Sequence, residues 1–180
     1  MKDKNKKNVY IVLTYTGTIV SKIVKLYTRK EFSHVSIALD QKLEEMYSFG
    51  RLNPYNPFKG GFVREGINIG TFKRFKNTKS AVYSLSLTEE QYEEIKKIIQ
   101  KMNKKHKLYK FNKIGLFAVA IHYKYERENY FYCAEFVKYL LEQAGINMNI
   151  PEIVKPMDFK ELDNLNLEYK GILRDYKIMN

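Results

Sequence analysis

The sequence predicts an α+β fold in which an antiparallel sheet packs against helices. Several short segments are rich in β-branched and aromatic residues, as strands are. Other segments place apolar residues three and four positions apart behind helix-capping residues. A tight turn over residues 40–42 joins two strand patterns and indicates an antiparallel hairpin. With 180 residues, of which 44% are hydrophobic, we expect one domain spanning residues 1–180.

The first elements alternate between strand and helix. Val9–Tyr15 reads as a buried strand, and the segment Thr18–Tyr27 reads as a helix with Thr18 as its N-cap. Ser33–Leu39 then alternates in polarity, which places His34 on the less apolar face of a strand. The turn that follows leads into Glu45–Phe49, the second strand of the hairpin.

The middle of the chain contains a predicted loop, further strands and a helix. Two prolines and two adjacent glycines predict that Arg51–Gly61 is an irregular loop. Thr88 and Gln91 form a capping-box pattern, so a helix is expected to follow Thr88. Three strand-like segments lie between this loop and this helix: Phe62–Gly66, Gly70–Phe75 and Ser80–Leu87.

The last third centres on an amphipathic helix over Cys133–Gly145. Its apolar residues form a stripe, Gly145 is suited to end it, and Cys133 lies in its first turn. The preceding segment, Tyr109–His122, fits either a helix or a buried strand. After Pro151 we expect a turn, a short helix beginning near Asp158 and an edge segment.

The composition limits the cellular context and the partners. Lys and Arg total 32 and Asp and Glu total 20, so the formal net charge is +12 and attraction to nucleic acid, an acidic membrane surface or another anionic polymer is expected. The apolar stretch Val9–Leu13 is too short for a signal peptide, and the run Ile114–Ile121 is too short for a membrane span. We therefore expect a cytoplasmic protein, with peripheral contact to a membrane surface as one consequence of its charge.

Cofactor chemistry has no support in the sequence. The single cysteine and three dispersed histidines lack zinc-type spacing, and there is no phosphate-binding Gly-rich loop. No metal and no other cofactor is expected. Nucleic acid is not the favoured partner, because the aromatic and basic pattern of Phe72–Lys76 also fits an ordinary half-buried strand.

Cys133 and His34 are the candidate catalytic residues. A helix N-terminus favours a thiolate over a thiol, and its free N–H groups can bind an oxyanion. Cys133 could therefore act as a nucleophile with His34 as its base. The alternative is structural, because a free cysteine at the start of a helix and a histidine in a strand both commonly serve as packing residues.

A family resemblance favours the catalytic alternative. Phe32–Ala38 (FSHVSIA), followed later by Tyr132–Val137 (YCAEFV) and Ala144–Ile146 (AGI), resembles the circularly permuted branch of the NlpC-type papain-like cysteine peptidases, including the YiiX-like permuted amidases. The lecithin:retinol acyltransferase-like proteins share this order, in which the histidine strand precedes the cysteine helix. Two further stretches also resemble bacterial relatives: Tyr47–Arg51 and Gly60–Glu65.

The resemblance implies a permuted papain-like fold and assigns roles to Cys133 and His34, but the third position of the family does not transfer directly to a residue of this sequence. Cys133 would attack a carbonyl carbon, His34 would be its base, and a polar residue on a following strand would orient the imidazole. If the hairpin pairs His34 with Ser48, then Ser48 takes this third role. Glu45 and Glu65 are the charged alternatives.

Two functions follow as expectations. The first is a thiol-dependent hydrolase or acyl-transfer enzyme, which acts as an amidase, peptidase or lipid acyl hydrolase on an amide or ester in a peptide, cell-wall fragment or lipid. The second is a catalytically weak or inactive module of the same fold that binds anionic lipid or nucleic acid. The basic stretches Lys73–Lys79 and Lys96–Lys107 are the surfaces expected to contact anionic headgroups.

Overall fold

A computed structural model, which describes residues 6–177, has an α+β architecture built on one eight-stranded sheet. The strand order is β7-β6-β4-β3-β2-β1-β5-β8, and every neighbouring pair with assigned register is antiparallel except β6 and β7. The strands are β1 (Lys6–Tyr15), β2 (His34–Ala38), β3 (Met46–Asn53), β4 (Asn56–Glu65), β5 (Lys79–Thr88), β6 (Lys110–Phe111), β7 (Tyr130–Phe131) and β8 (Leu165–Ile172).

Helices connect and cover the strands. The α-helices are α1 (Ile19–Thr28), α2 (Gly70–Arg74), α3 (Glu89–Lys104), α4 (Lys113–Ala118) and α5 (Cys133–Gln143). Short 3₁₀ helices cover His106–Leu108, Val119–Ile121, Pro156–Glu161 and Leu173–Asp175. Within residues 6–177, no helix has both the length and the apolar character needed to cross a bilayer.

The sheet separates two apolar clusters. The larger cluster joins one face of the sheet to α3 and α5, with Ile95, Phe136 and Leu140 fully buried in it. The smaller cluster on the other face includes Phe72 of α2 and Tyr176 near the C-terminus. This packing fixes α5 against β2 and β3, and it thereby holds the first turn of α5 beside the start of β2.

The capping predictions are confirmed. Thr18 Oγ1 accepts a hydrogen bond from Ser21 N at 3.3 Å at the start of α1. Thr88 and Gln91 form the expected reciprocal capping box at the start of α3. Gly145 adopts a left-handed φ of 68° just after α5, which glycine tolerates without strain.

The predictions for Arg51–Gly61 and Gly70–Phe75 are wrong. The first segment is not a loop but the tip of the β3–β4 hairpin, in which Asn53 pairs with Asn56. Asn53 Oδ1 accepts from Tyr55 N at 2.8 Å, and a register shift between Arg51 and Asn53 accommodates the irregular backbone. Residues 70–74 form the single-turn helix α2 instead of a strand, because five residues are too few for apolar spacing to separate the two.

Candidate active site

Three side chains meet where three elements begin or end. Cys133 is the first residue of α5, His34 the first of β2, and Glu65 the last of β4. His34 Nε2 lies 3.2 Å from Glu65 Oε1 and 3.3 Å from Glu65 Oε2. The Cys133 thiol also interacts with the imidazole. Since Glu65 occupies Nε2, Nδ1 is the ring nitrogen left to exchange a proton with the thiol.

The Glu65 carboxylate is held in a polar pocket below the ring. Glu65 is only 8% exposed, and Ser36 Oγ donates a hydrogen bond to its Oε2 at 2.5 Å. Ser48 Oγ is fully buried near the same carboxylate, although its geometry gives no regular hydrogen bond. The carboxylate therefore faces His34 from a fixed position.

Burial and charge oppose each other at both ends of the His34–Glu65 pair. Burial lowers the pKa of His34, but the Glu65 carboxylate and the Cys133 thiol outweigh it and raise that pKa to about 10. Burial raises the pKa of Glu65, but His34 and the two serine hydroxyls outweigh it and hold that pKa below its usual range. The pair is thus an imidazolium and a carboxylate at neutral pH.

Cys133 lies at the positive end of a helix whose start is well defined. It is 5% exposed, and Glu135 Oε2 accepts from Tyr132 N at 2.9 Å, so one of the first N–H groups of α5 has a partner. The Cys133 N–H has no acceptor within its own helix, because the first four N–H groups of a helix have none. It can therefore bind an oxyanion formed beside the thiol.

The structure brings Cys133 and His34 together as the sequence predicts, but places Glu65 on the imidazole where Ser48 was expected. Ile37 pairs with Tyr47, and continuing this register puts His34 opposite Gly50 and not opposite Ser48. Ser48 instead lies behind Glu65. Glu45, the other charged alternative, is exposed in the β2–β3 connection.

The three side chains open onto a cleft of about 730 Å³. Its wall is mostly apolar, with contributions from α1, α4 and the β3–β4 hairpin. Phe72 packs against the His34 ring at 6.5 Å between centroids. Apolar residues that line the cleft include Ile19, Ile23, Phe49, Phe58, Phe111 and Phe117.

Comparisons with known proteins do not identify a relative of this chain. No protein-family model, no curated protein and no solved structure matches the chain. Within the described residues, no group of three or more His, Cys, Asp or Glu side chains is arranged to hold a metal ion. The candidate function is therefore argued from the geometry of the cleft and its three polar residues.

Proposed function

We propose that the protein is a thiol-dependent hydrolase or acyl-transfer enzyme with a permuted papain-like fold, in which Cys133 is the nucleophile, His34 its base and Glu65 the group that orients His34. The observation that carries this proposal is the placement of a helix-terminal thiol, an imidazole and a buried carboxylate at one end of an open cleft. Such an arrangement is the physical requirement for nucleophilic catalysis by a thiol.

The reaction would proceed in two balanced steps. The thiolate sulfur attacks the carbonyl carbon of an amide or ester, and the Cys133 N–H donates to the resulting oxyanion. The His34 imidazolium then gives its proton to the leaving amine or alcohol as the bond to it breaks, which produces an acyl-enzyme. Water or another acceptor then gives a proton to His34 and attacks the thioester, and the C–S bond breaks to release the acyl product and restore the thiolate and the imidazolium.

The substrate is proposed only to the level of its reacting bond. A peptide, a cell-wall fragment or a lipid each carries an amide or ester that fits the proposed chemistry. The mostly apolar wall of the cleft favours a substrate with substantial apolar surface next to that bond. A cytoplasmic location stays a prediction of the sequence.

The rate of Cys133 alkylation by iodoacetamide, measured against pH, tests the thiol–imidazole coupling. Cys133 is the single cysteine of the chain, so the reaction reports one site. His34→Ala should move the pH profile to higher pH and lower the rate at pH 7 by roughly tenfold, because the imidazolium no longer favours the thiolate. His106→Ala, which removes an exposed histidine elsewhere, is the matched control and should leave the profile unchanged.

Identical profiles for the wild type and His34→Ala would rule out the enzyme and favour the second candidate, a non-catalytic module. One observation favours an anionic membrane as the partner of either candidate. Exposed apolar side chains from α1, the β3–β4 hairpin and α4 surround the mouth of the cleft. We therefore propose that this face, which includes Arg74 of the basic stretch Lys73–Lys79, makes peripheral membrane contact, and that the other basic stretch, Lys96–Lys107, does not.

Ion pairs made by the basic stretch Lys96–Lys107 favour the face around the cleft as the membrane contact. Within α3, Lys96 lies 3.7 Å from Glu93 and Lys97 lies 3.2 Å from Glu94. These ion pairs offset part of the positive charge of that surface. Binding to vesicles of anionic lipid tests the contact.

A further inference from the structure

Two arginines line the cleft that contains Cys133 and His34. Arg51 comes from β3 and Arg74 ends α2. Their guanidinium groups both lie over the Phe75 ring, at 5.8 Å and 5.0 Å from its centroid. Two like charges are thus held against one aromatic ring on the wall of the cleft.

Neither arginine has an acidic partner within residues 6–177. The carboxylate that does line the cleft is Glu65, and it is paired with His34. Burial and the nearby Arg74 both lower the pKa of Arg51, which shows that the two positive charges repel each other. The charge of this wall is therefore uncompensated by the described part of the chain.

Arg51 also occupies an unfavourable place beside α1. Its Nη2 donates to Thr18 Oγ1 at 2.8 Å, and Thr18 is the N-cap of that helix. The N-terminal end of a helix carries partial positive charge, so it favours an anion and not a cation. The bond to Thr18 nevertheless fixes the Arg51 guanidinium at the cleft wall.

Unused donors remain at this wall. Arg74 Nη1 donates to Pro54 O at 2.5 Å, and no other acceptor within residues 6–177 contacts either guanidinium group. A guanidinium has five N–H donors, so most are available to a ligand. Ser33 also lines the cleft, and its buried hydroxyl has no partner in the described part of the chain.

We propose that Arg51 and Arg74 form an anion-binding subsite of this cleft, which takes a phosphate or carboxylate group of the ligand. Both anions accept paired hydrogen bonds from a guanidinium, and either would offset the repulsion between the two arginines. If the proposed function is right, on which this step rests, the substrate is an amide or ester that carries such an anionic group within reach of its scissile bond.

The rate ratio between two alkylating agents tests the subsite. Iodoacetate is anionic and iodoacetamide is neutral, but both react with the same thiolate, so the ratio of their rates cancels the thiolate fraction of Cys133. The double variant Arg51→Gln/Arg74→Gln should lower the iodoacetate-to-iodoacetamide ratio by about fivefold or more, because two positive charges on the wall of the cleft that contains the thiol are lost.

Arg127→Gln is the matched control, since Arg127 stacks on Tyr130 at 3.9 Å and does not line the cleft. It should leave the ratio unchanged. Arg74→Gln alone provides a second variant, because Arg74 is exposed and its replacement leaves the bond between Arg51 and Thr18 in place. A ratio that stays at the wild-type value in both cleft variants would overturn the proposal.

Protection of Cys133 from iodoacetamide identifies the anion. Phenyl phosphate and benzoate share an aromatic ring and differ in the anionic group. Protection by either one, lost in the cleft variants, supports the subsite, and the stronger protector identifies the preferred group. Protection by neither contradicts it. The two proposals can fail separately. If the cleft variants lower the iodoacetate-to-iodoacetamide ratio but His34→Ala does not change the alkylation of Cys133, the subsite is supported and the catalytic proposal is rejected.

Discussion

At the scale of single residues, the protonation of His34 depends on both of its neighbours in the candidate site, Glu65 and Cys133. Burial alone would favour the neutral ring, yet Glu65 and the Cys133 thiol shift the balance to the imidazolium. A charged ring beside Cys133 favours the thiolate, which is the nucleophilic form. In the proposed reaction, the same ring acts as the acid that protonates the leaving group.

The first prediction distinguishes Glu65 from Ser48 as the partner of His34. Glu65→Gln should lower the rate of Cys133 alkylation at pH 7 by roughly tenfold, because the imidazolium loses its carboxylate. Ser48→Ala should change that rate by less than about twofold, because Ser48 interacts with Glu65 and not with the ring. Stopped-flow alkylation of both variants measures the difference, and a larger effect of Ser48→Ala would contradict the structure.

The chain alone could identify Cys133 and His34 but not choose among their partners. The alternation of Ser33–Leu39 already places His34 on the polar face of its strand. The identity of the residue that contacts the His34 ring depends on the pairing register between strands. A register shift of two residues leaves the same side chains on the same face of the sheet but places a different one beside His34. Glu65 reaches the ring because β4 returns beside β3 and pairs it with Met46, a contact far apart in sequence.

At the scale of elements, one carboxylate connects the starts of α4 and α5. Glu135 Oε2 accepts from Tyr132 N at 2.9 Å and from Asn112 Nδ2 at 3.4 Å. Asn112 in turn caps α4 by accepting from Gly115 N at 2.9 Å. The position of Cys133 therefore depends on a cap that is shared with a wall of the cleft.

Because of Glu135, the free energy of unfolding should decrease as pH rises. Burial raises the pKa of Glu135 to about 7, above the value of roughly 4.3 for an unfolded chain. The folded chain binds the Glu135 proton more tightly than the unfolded chain does. The contribution of Glu135 to the free energy of unfolding therefore decreases as pH rises from about 4 to 7, and it is constant above pH 7. Glu135→Gln keeps an acceptor for Tyr132 N but cannot titrate, so the variant should gain stability relative to the wild type between pH 5 and pH 8.

Urea unfolding at pH 5 and pH 8 measures this difference. Glu135→Ala is the comparison, because it removes the acceptor and should be less stable than Glu135→Gln by about 1 kcal/mol at both pH values. A stability difference between Glu135→Gln and the wild type that does not change with pH would contradict the assigned titration.

Local chemistry explains which elements could be predicted. Thr18, Thr88 and Gly145 act on backbone groups within a few residues, so their sequence patterns suffice. The apolar stripe of α1 is also predicted by the sequence, but much of it stays outside the core: Val24 is buried, whereas Ile19 and Leu26 are each 78% exposed. Whether an apolar stripe faces a core or a cleft depends on packing between elements that are distant in sequence. The periodicity of apolar residues gives no information about that packing.

Across the whole molecule, acidic residues are absent from the chain segments around the mouth of the cleft. Residues 16–30, 51–64 and 107–124 contain no Asp or Glu, although the chain has 20 such residues. The same segments carry many of the exposed apolar side chains. A surface that is both apolar and cationic fits the interface of an anionic bilayer better than it fits water or a neutral partner.

Two matched substitutions test where the proposed membrane contact lies. Phe58→Asp places a negative charge at the tip of the β3–β4 hairpin, where Phe58 is 76% exposed. Leu167→Asp makes a comparable change on β8, at the opposite side of the sheet, where Leu167 is 56% exposed. Because insertion of the Phe58 ring contributes about 1.5–3 kcal/mol, Phe58→Asp should weaken binding to phosphatidylglycerol vesicles about tenfold or more. Leu167→Asp should weaken it by less than about twofold.

Cosedimentation at increasing salt separates the two parts of this attraction. Raising the salt from about 0.1 M to 1 M shortens the screening length from about 10 Å to 3 Å, so the part due to lysine and arginine should be lost. The remaining binding should still depend on Phe58, because burial of its ring is not screened. Equal losses for Phe58→Asp and Leu167→Asp would mean that net charge, and not the face around the cleft, attracts the protein to the bilayer.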